Sequence, residues 1–262
     1  MFDVHQHLNE PWRLALDVAR GAARHVLDFI LPPRCLACQQ VVADPGSLCP
    51  VCWQEMNFIC IPVCERLGVP LSHDMGAGGL SARAIAEPPV FDRARAVATY
   101  TGVARQLVLS LKFAHRRDLS DPLGRWMAIA GNELADPETI VVPVPLHRLR
   151  LLGRRFNQSA DLAKAVGHHW RVCSHPLLLQ RVRRTRQQVG LDAKARRKNV
   201  RGAFQVRKGY EHLVHGKPVV LVDDVLTTGS TVSACARALL QAGASRVDVL
   251  CFAIAADSHV DV

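Results

Sequence analysis

Asp223 and Asp224 are adjacent carboxylates at the end of the apolar run Val219-Val220-Leu221-Val222, and the hydroxyl-rich stretch Val225-Leu226-Thr227-Thr228-Gly229-Ser230-Thr231 follows them directly. A β-branched apolar run of this length predicts a strand buried on both faces, which puts the acids at its carboxyl edge. Beyond the loop, Val232, Cys235, Ala236, Leu239 and Leu240 recur at helical spacing, and Gly243 suits the position just past a helix end. A helix N-terminus offers unpaired N–H groups and partial positive charge. Thr227, Thr228, Ser230 and Thr231 add hydroxyl donors around Gly229, which lets backbone approach closely. Together these make a cradle for one phosphate. The acids repel phosphate oxygens, so they must face neutral hydroxyls or a metal-bound part of the same ligand. A sugar phosphate meets both demands.

A second chemistry-bearing group is Cys35-x-x-Cys38 with Cys49-x-x-Cys52, separated by a stretch that contains the turn residues Asp44-Pro45-Gly46. Two such knuckles at this distance have the spacing of a tetrahedral zinc site with four thiolate ligands. A disulfide pairing of the same residues is disfavoured in a reducing compartment. Cys60 and Cys64 lack the knuckle spacing and read as buried thiols. Cys173, Cys235 and Cys251 read as small core residues.

Two arginine-rich stretches complete the set. The apolar run from Ile140 to Val144 leads into Pro145, His147, Arg148, Arg150, Arg154 and Arg155, and then into Asn157 and Gln158 at the start of a helical pattern that Asn157 is placed to cap. Guanidinium groups at a strand's carboxyl edge suit a pyrophosphate through paired donors. Between Arg181 and Arg201 nine basic residues stand against one acid, Asp192, so this segment holds most of the net charge of +10. Its partner is a polyanion, either a pyrophosphate or a nucleic-acid backbone.

The elements that must position these residues alternate in type. Ala94 to Tyr100 predicts a strand, Val103 to Phe113 and Leu123 to Leu134 helices, Ile140 to Val144 a strand, and Val247 to Ile254 the strand that follows the helix after Thr231. This is the pattern of an α/β protein with a mainly parallel twisted sheet flanked by helices. Residues 12–31 carry an amphipathic helical pattern ended by Pro32-Pro33. The expected organisation is an N-terminal amphipathic helix in 1–33, a zinc-ribbon module in 34–71, a Gly/Ala/Ser/Pro-rich linker in 72–90 and an α/β domain in 91–256. No apolar run is long enough to cross a membrane, and Met1 to Asn9 carries no basic region ahead of an apolar core, so the expected location is the cytoplasm.

The run Val220 to Thr231 resembles the phosphoribosyl-pyrophosphate (PRPP) signature of type I phosphoribosyltransferases. With the cysteine knuckles, Val142 to His147, Arg155-Phe156-Asn157-Gln158, Arg183-x-Thr185-x-x-Gln188 and Asn199 to Phe204, nearly the whole chain resembles the competence protein F (ComF) family. That resemblance implies a type I phosphoribosyltransferase fold with a small zinc ribbon. It implies that Asp223 and Asp224 hold ribose hydroxyls and that Val225, Thr227, Thr228, Gly229, Ser230 and Thr231 hold the 5′-phosphate. Pro145, His147, Arg148, Arg155, Asn157 and Gln158 would form the pyrophosphate loop. Thr185, Gln187 and Gln188 would form the tip of a mobile loop whose Arg183 and Arg186 offset charge on the leaving group. Mg²⁺ would accompany PRPP, and Zn²⁺ would be structural. Two functions follow as expectations. One is phosphoribosyl transfer or binding with magnesium pyrophosphate leaving, in the service of DNA uptake. The other is non-catalytic, a single-stranded-DNA binder or PRPP sensor that uses the zinc module and the basic 181–201 segment.

Overall fold

The computed structural model of the protein describes residues 32–114, 116–146, 156–183 and 202–255. The amphipathic pattern of 12–31 lies outside them. The chain divides into two compact units, 1–53 and 54–262.

The described part of the first unit is a pair of tight turns. Cys35 N–H donates to Gln40 O at 2.7 Å and Gln39 N–H to Cys35 O at 3.1 Å, with Gln39 in the left-handed region at φ 67°. Leu36 N–H reaches Ser47 O at 3.1 Å, which brings the second knuckle and the short helix α1 (Pro50–Gln54) beside the first. Leu36 and Leu48 are the only large aliphatic side chains buried among the described residues of this unit, and the other buried apolar groups are cysteines. Among the described residues so small a core is of the kind that a metal or cross-links reinforce.

The second unit is built on a parallel sheet of order β1-β6-β5-β2, comprising β1 (Ala94–Thr99), β2 (Ile140–Pro143), β5 (Pro218–Leu226) and β6 (Arg246–Ile254). Every residue of β2 and every residue of β6 after Arg246 is buried, which explains why their sequences are nearly continuous in apolar residues. Helices α3 (Gly102–Phe113), α4 (Ser120–Ala130) and α5 (Gln158–Trp170) pack on one face. Helix α7 (Ser230–Gln241) packs on the other, together with an antiparallel ribbon of β3 (Leu179–Arg181) and β4 (Phe204–Val206) and the short α6 (Glu211–Val214). The chain therefore leaves β5 toward one face and β2 toward the other, and the crevice between their carboxyl ends is where a parallel sheet of this kind takes its ligand. The predicted helix over Leu123 to Leu134 starts earlier, at Ser120, and breaks at Gly131, where a Cβ would come within 2.7 Å of Leu250 Cδ1; Asn132–Leu134 continues as a 3-10 turn.

The glycine- and proline-rich stretch expected as a linker is ordered within this unit. It includes α2 (Ala82–Ala86), capped by Ser81, whose Oγ accepts from Ala84 N–H at 3.3 Å. Ahead of it, Ile59 N–H donates to Val97 O and Thr99 N–H to Asn57 O, both at 2.9 Å, so a strip of chain covers the outer edge of β1. Gly68 adopts φ +66°, and a Cβ there would lie 2.2 Å from Ala94 O. Only glycine fits this crossing. At the amino end of the sheet Asp248, 1% exposed, takes Arg246 Nε at 2.9 Å and Arg93 Nη2 at 3.3 Å.

Candidate functional site

Three elements meet at the carboxyl end of β5. Asp224 Oδ1 lies 2.8 Å from Lys112 Nζ, which the last turn of α3 supplies. Asp223 Oδ1 accepts from Ser159 Oγ, in the first turn of α5, and from Asp224 N–H, both at 2.9 Å. Burial, followed by the Asp224 charge, pushes the Asp223 carboxyl up to about 7 against the opposing pull of Lys112 and Ser159. Burial alone would lower the Lys112 ammonium, but the Asp224 and Asp223 charges outweigh it and hold the group above its ordinary value, so it stays protonated. At neutral pH the cluster is thus close to electrically balanced. This removes much of the repulsion that two bare carboxylates would exert on a polyphosphate.

The phosphate-cradle loop stands next to this cluster. Gly229 takes φ +73° at the N-cap of α7, and its carbonyl accepts from Ser233 N–H at 2.8 Å. Thr228 Oγ1 and Ser230 Oγ are 3.0 Å apart, Arg83 Nη2 donates to Thr228 O at 3.2 Å, and Thr227 is exposed. Val225 and Thr231 are half-buried on either side of the turn. From β2, Val144 N–H donates to Val222 O at 2.9 Å, so Pro145 follows directly from the strand paired with β5. Asn157 does occupy the N-cap position of α5, but its side chain does not cap it; Nδ2 donates instead to Val144 O at 3.2 Å and ties the loop's two ends together. Gln158, 1% exposed, points its amide toward Lys112 O at 3.5 Å. Arg183 is exposed where the β3–β4 ribbon ends. His147, Arg148, Arg155, Thr185, Arg186, Gln187 and Gln188 lie outside the described residues.

Lys112 and Ser159 are the site residues that sequence reasoning missed. Nothing in the spacing of a single basic residue late in an amphipathic helix announces that it faces a carboxylate 112 positions on. Ser159 had one available signal, its place two residues past Asn157 in the first turn of a helix that starts at a strand's carboxyl end.

In the first unit the sulfurs of Cys35, Cys38, Cys49 and Cys52 lie within 4.8 Å of one another, and Cys38 Sγ to Cys49 Sγ is 3.6 Å. Four thiolates about 2.3 Å from a common zinc stand about 3.8 Å apart, so the cage has the right size. Burial opposes ionisation of Cys35, but the N–H groups of Cys49, Cys38 and Ala37 outweigh it and bring the thiol down to about 6, poised as a metal ligand. Burial and its three sulfur neighbours push Cys52 up, as expected for thiolates that need a cation among them. Of the remaining cysteines, Cys64, Cys235 and Cys251 are buried, whereas Cys60 and Cys173 are exposed, contrary to expectation. Cys60 stands one residue ahead of the exposed Ile61, and Cys173 lies in the turn after α5, where the carbonyl is paired with Val141 and the side chain points out. Cys64 Sγ accepts from Ser81 N–H at 3.2 Å and Leu67 N–H at 3.5 Å, which satisfies it without a metal.

Comparison with known proteins divides along the same lines. A double zinc ribbon domain model matches residues 26–84, and a phosphoribosyl transferase domain model matches residues 178–261. The chain is 34% identical over 229 residues to DNA utilization protein YhgH of Salmonella typhimurium, covering 84% of this chain and 96% of that one. It is 27% identical to Competence protein F of Haemophilus influenzae, over 82% of this chain and 94% of the relative. Among solved structures, an allosteric regulatory enzyme of purine biosynthesis overlaps 55% of this chain and 30% of its own, with 20% identity and a TM-score of 0.38. The parallel sheet, the family models and the four-cysteine cluster together make this a phosphoribosyltransferase-type fold with an N-terminal zinc ribbon.

Proposed function

The chain belongs to the competence protein F family, and on that premise we propose that it binds PRPP at the carboxyl end of β5 and transfers the phosphoribosyl group to an acceptor nucleophile, in the service of DNA uptake. The observation that carries this reading is the joining of a charge-balanced acid pair to a hydroxyl-lined helix N-terminus on one strand and loop. Asp223, held at about 7 and so only partly ionised near neutrality, and Asp224, held by Lys112, present oxygens to the ribose 2′- and 3′-hydroxyls. Thr227 to Thr231 donate to the 5′-phosphate. The residues of the loop after β2, with the basic segment between the ribbon strands, neutralise the departing pyrophosphate. Magnesium, when bound with PRPP, shields its phosphate charge. The relatives' names, DNA utilization and competence, support DNA metabolism as the setting.

Calorimetric titration of PRPP with Mg²⁺ tests this reading. Expected is saturable binding to the wild type and its loss in a double variant, Asp223→Asn with Asp224→Asn, that retains its zinc. No binding to a folded, zinc-loaded wild type refutes it and turns attention to single-stranded DNA on the basic 181–201 segment, whose affinity would fall steeply with salt.

A further inference from the structure

Thr228 and Gly229 are joined by a trans peptide, whose carbonyl and N–H point opposite ways, so whatever fixes the carbonyl of Thr228 also sets the direction of the Gly229 N–H. Arg83 holds that carbonyl. Its Nη2 donates to Thr228 O at 3.2 Å from α2, 145 positions ahead in the chain. The next peptide is fixed within the first turn of α7, since Gly229 O accepts from Ser233 N–H at 2.8 Å. A glycine at φ +73° tolerates many settings of the peptide before it. Without a tether the Thr228–Gly229 plane could therefore turn its carbonyl, an acceptor, toward the phosphate. The base from which Arg83 reaches is itself braced. Ser81 caps α2 and donates its N–H to Cys64 Sγ at 3.2 Å, and beyond the helix Arg66 Nη2 donates to Pro89 O at 3.1 Å and Phe91 O at 2.8 Å.

We propose that Arg83 is a positioning residue of the sugar-phosphate site, one that aims the Gly229 N–H at the 5′-phosphate by tethering the Thr228 carbonyl. The inference rests on the sugar-phosphate reading above and names a residue that reading does not use. The tether acts in two ways. It orders the loop before the ligand arrives, which lowers the entropy lost on binding. The guanidinium charge on the carbonyl also polarises the peptide and strengthens its N–H as a donor. Neither effect needs Arg83 to touch the ligand. Both differ from the pull of a cation on phosphate through space, which added salt would screen.

NMR titration of the full zinc-loaded chain with ribose 5-phosphate is the test, with carbonyl-labelled threonine and amide-labelled glycine. Thr-Gly pairs occur at Thr101-Gly102 and Thr228-Gly229, so this labelling selects two amides, and Gly102 on α3 serves as the reference. In the wild type, saturable binding should carry the Gly229 amide downfield as it donates to phosphate. Arg83→Met should weaken ribose 5-phosphate by about tenfold, the worth of one hydrogen bond to a charged group, and should cancel most of the Gly229 shift at saturation. The loss should be as large at about 0.3 M salt as at low salt. Arg83→Gln, whose carboxamide falls short of the carbonyl, should repeat these effects and carries the test where the methionine variant melts early. In variants that melt like the wild type, unchanged affinity, a loss that disappears with salt, or a Gly229 amide that still moves fully would each overturn the proposal and leave the sugar-phosphate site standing. No binding of ribose 5-phosphate to the folded wild type overturns the sugar-phosphate reading and this inference with it.

Discussion

Replacing Asp223 by asparagine should stabilise the fold while removing ligand binding, and the gain should depend on pH in a defined direction. The Asp223 carboxyl is held at about 7 in the folded chain against an ordinary 3.8, because the folded state disfavours its charge. Its folded value lies above its unfolded one, so the native state keeps the proton longer. Stability present below about pH 4 is lost as pH rises toward 7. About three units at 1.36 kcal/mol each give about 4 kcal/mol above pH 7. Asp223 keeps some exposure to solvent, and screening trims this to about 2 kcal/mol. Asparagine retains the acceptor for Ser159 Oγ and Asp224 N–H and cannot ionise. The variant should therefore match the wild type near pH 4 and exceed it at pH 8 by about 2 kcal/mol, or roughly 4–8 °C in melting temperature for a domain of this size. Urea and thermal melts followed by circular dichroism at pH 4.5, 6 and 8 read this out. A gap that does not widen with pH, or a variant less stable than wild type at pH 8, refutes the reasoning. The expected trade between stability and function is common where a site holds buried charge for a ligand.

Lys112→Met should cost about 2 kcal/mol, below the roughly 3–5 kcal/mol of a fully buried broken pair because both side chains keep 10–20% exposure, and should weaken PRPP; combined with Asp223→Asn, the loss should be smaller than the sum, as denaturant titrations of the four species will tell. The first unit should carry about one zinc per chain, and Cys52→Ser should abolish it and expose residues 32–53 to protease, while metal analysis showing retained zinc would count against the four-thiolate cage. Two glycines with similar positive φ separate strain from collision. Gly229→Ala should lose only about 1–2 kcal/mol, because its nearest atom would be 3.9 Å away, whereas Gly68→Ala should lose more than about 3 kcal/mol or fail to fold, as expression yield and melting temperature will report.

The strand, acid pair and loop of residues 218–231 were legible because one local stretch encodes both the buried strand and the ligand-facing groups. The same holds for the four-cysteine cage, whose ligands are close in sequence and whose spacing is itself the geometry. What stayed hidden depends on long-range placement. Lys112 reaches Asp224 only because α3 ends over β5, and Ser159 reaches Asp223 because α5 starts beside β2. The stretch 72–90 looks like a linker by composition, yet it contains α2, which supplies Arg83 to the carbonyl of Thr228. Asn157 shows the limit of a local rule: its capping position was correctly placed, but its side chain is drawn to Val144, a partner that spacing alone could not identify.

The two ends of the sheet treat charge in opposite ways. At the amino end one buried carboxylate, Asp248, is answered by two guanidinium groups, whereas at the carboxyl end two carboxylates share one ammonium. The surplus cation anchors the frame, while at the opposite rim partial protonation of Asp223 supplies the missing counter-charge and leaves the site adjustable to its ligand. Diversification of the family can therefore explore new chemistry at one rim while the opposite rim acts as its structural reserve. Combinatorial libraries confined to the carboxyl rim should yield a higher folded fraction than libraries of equal size that include Arg93, Arg246 and Asp248.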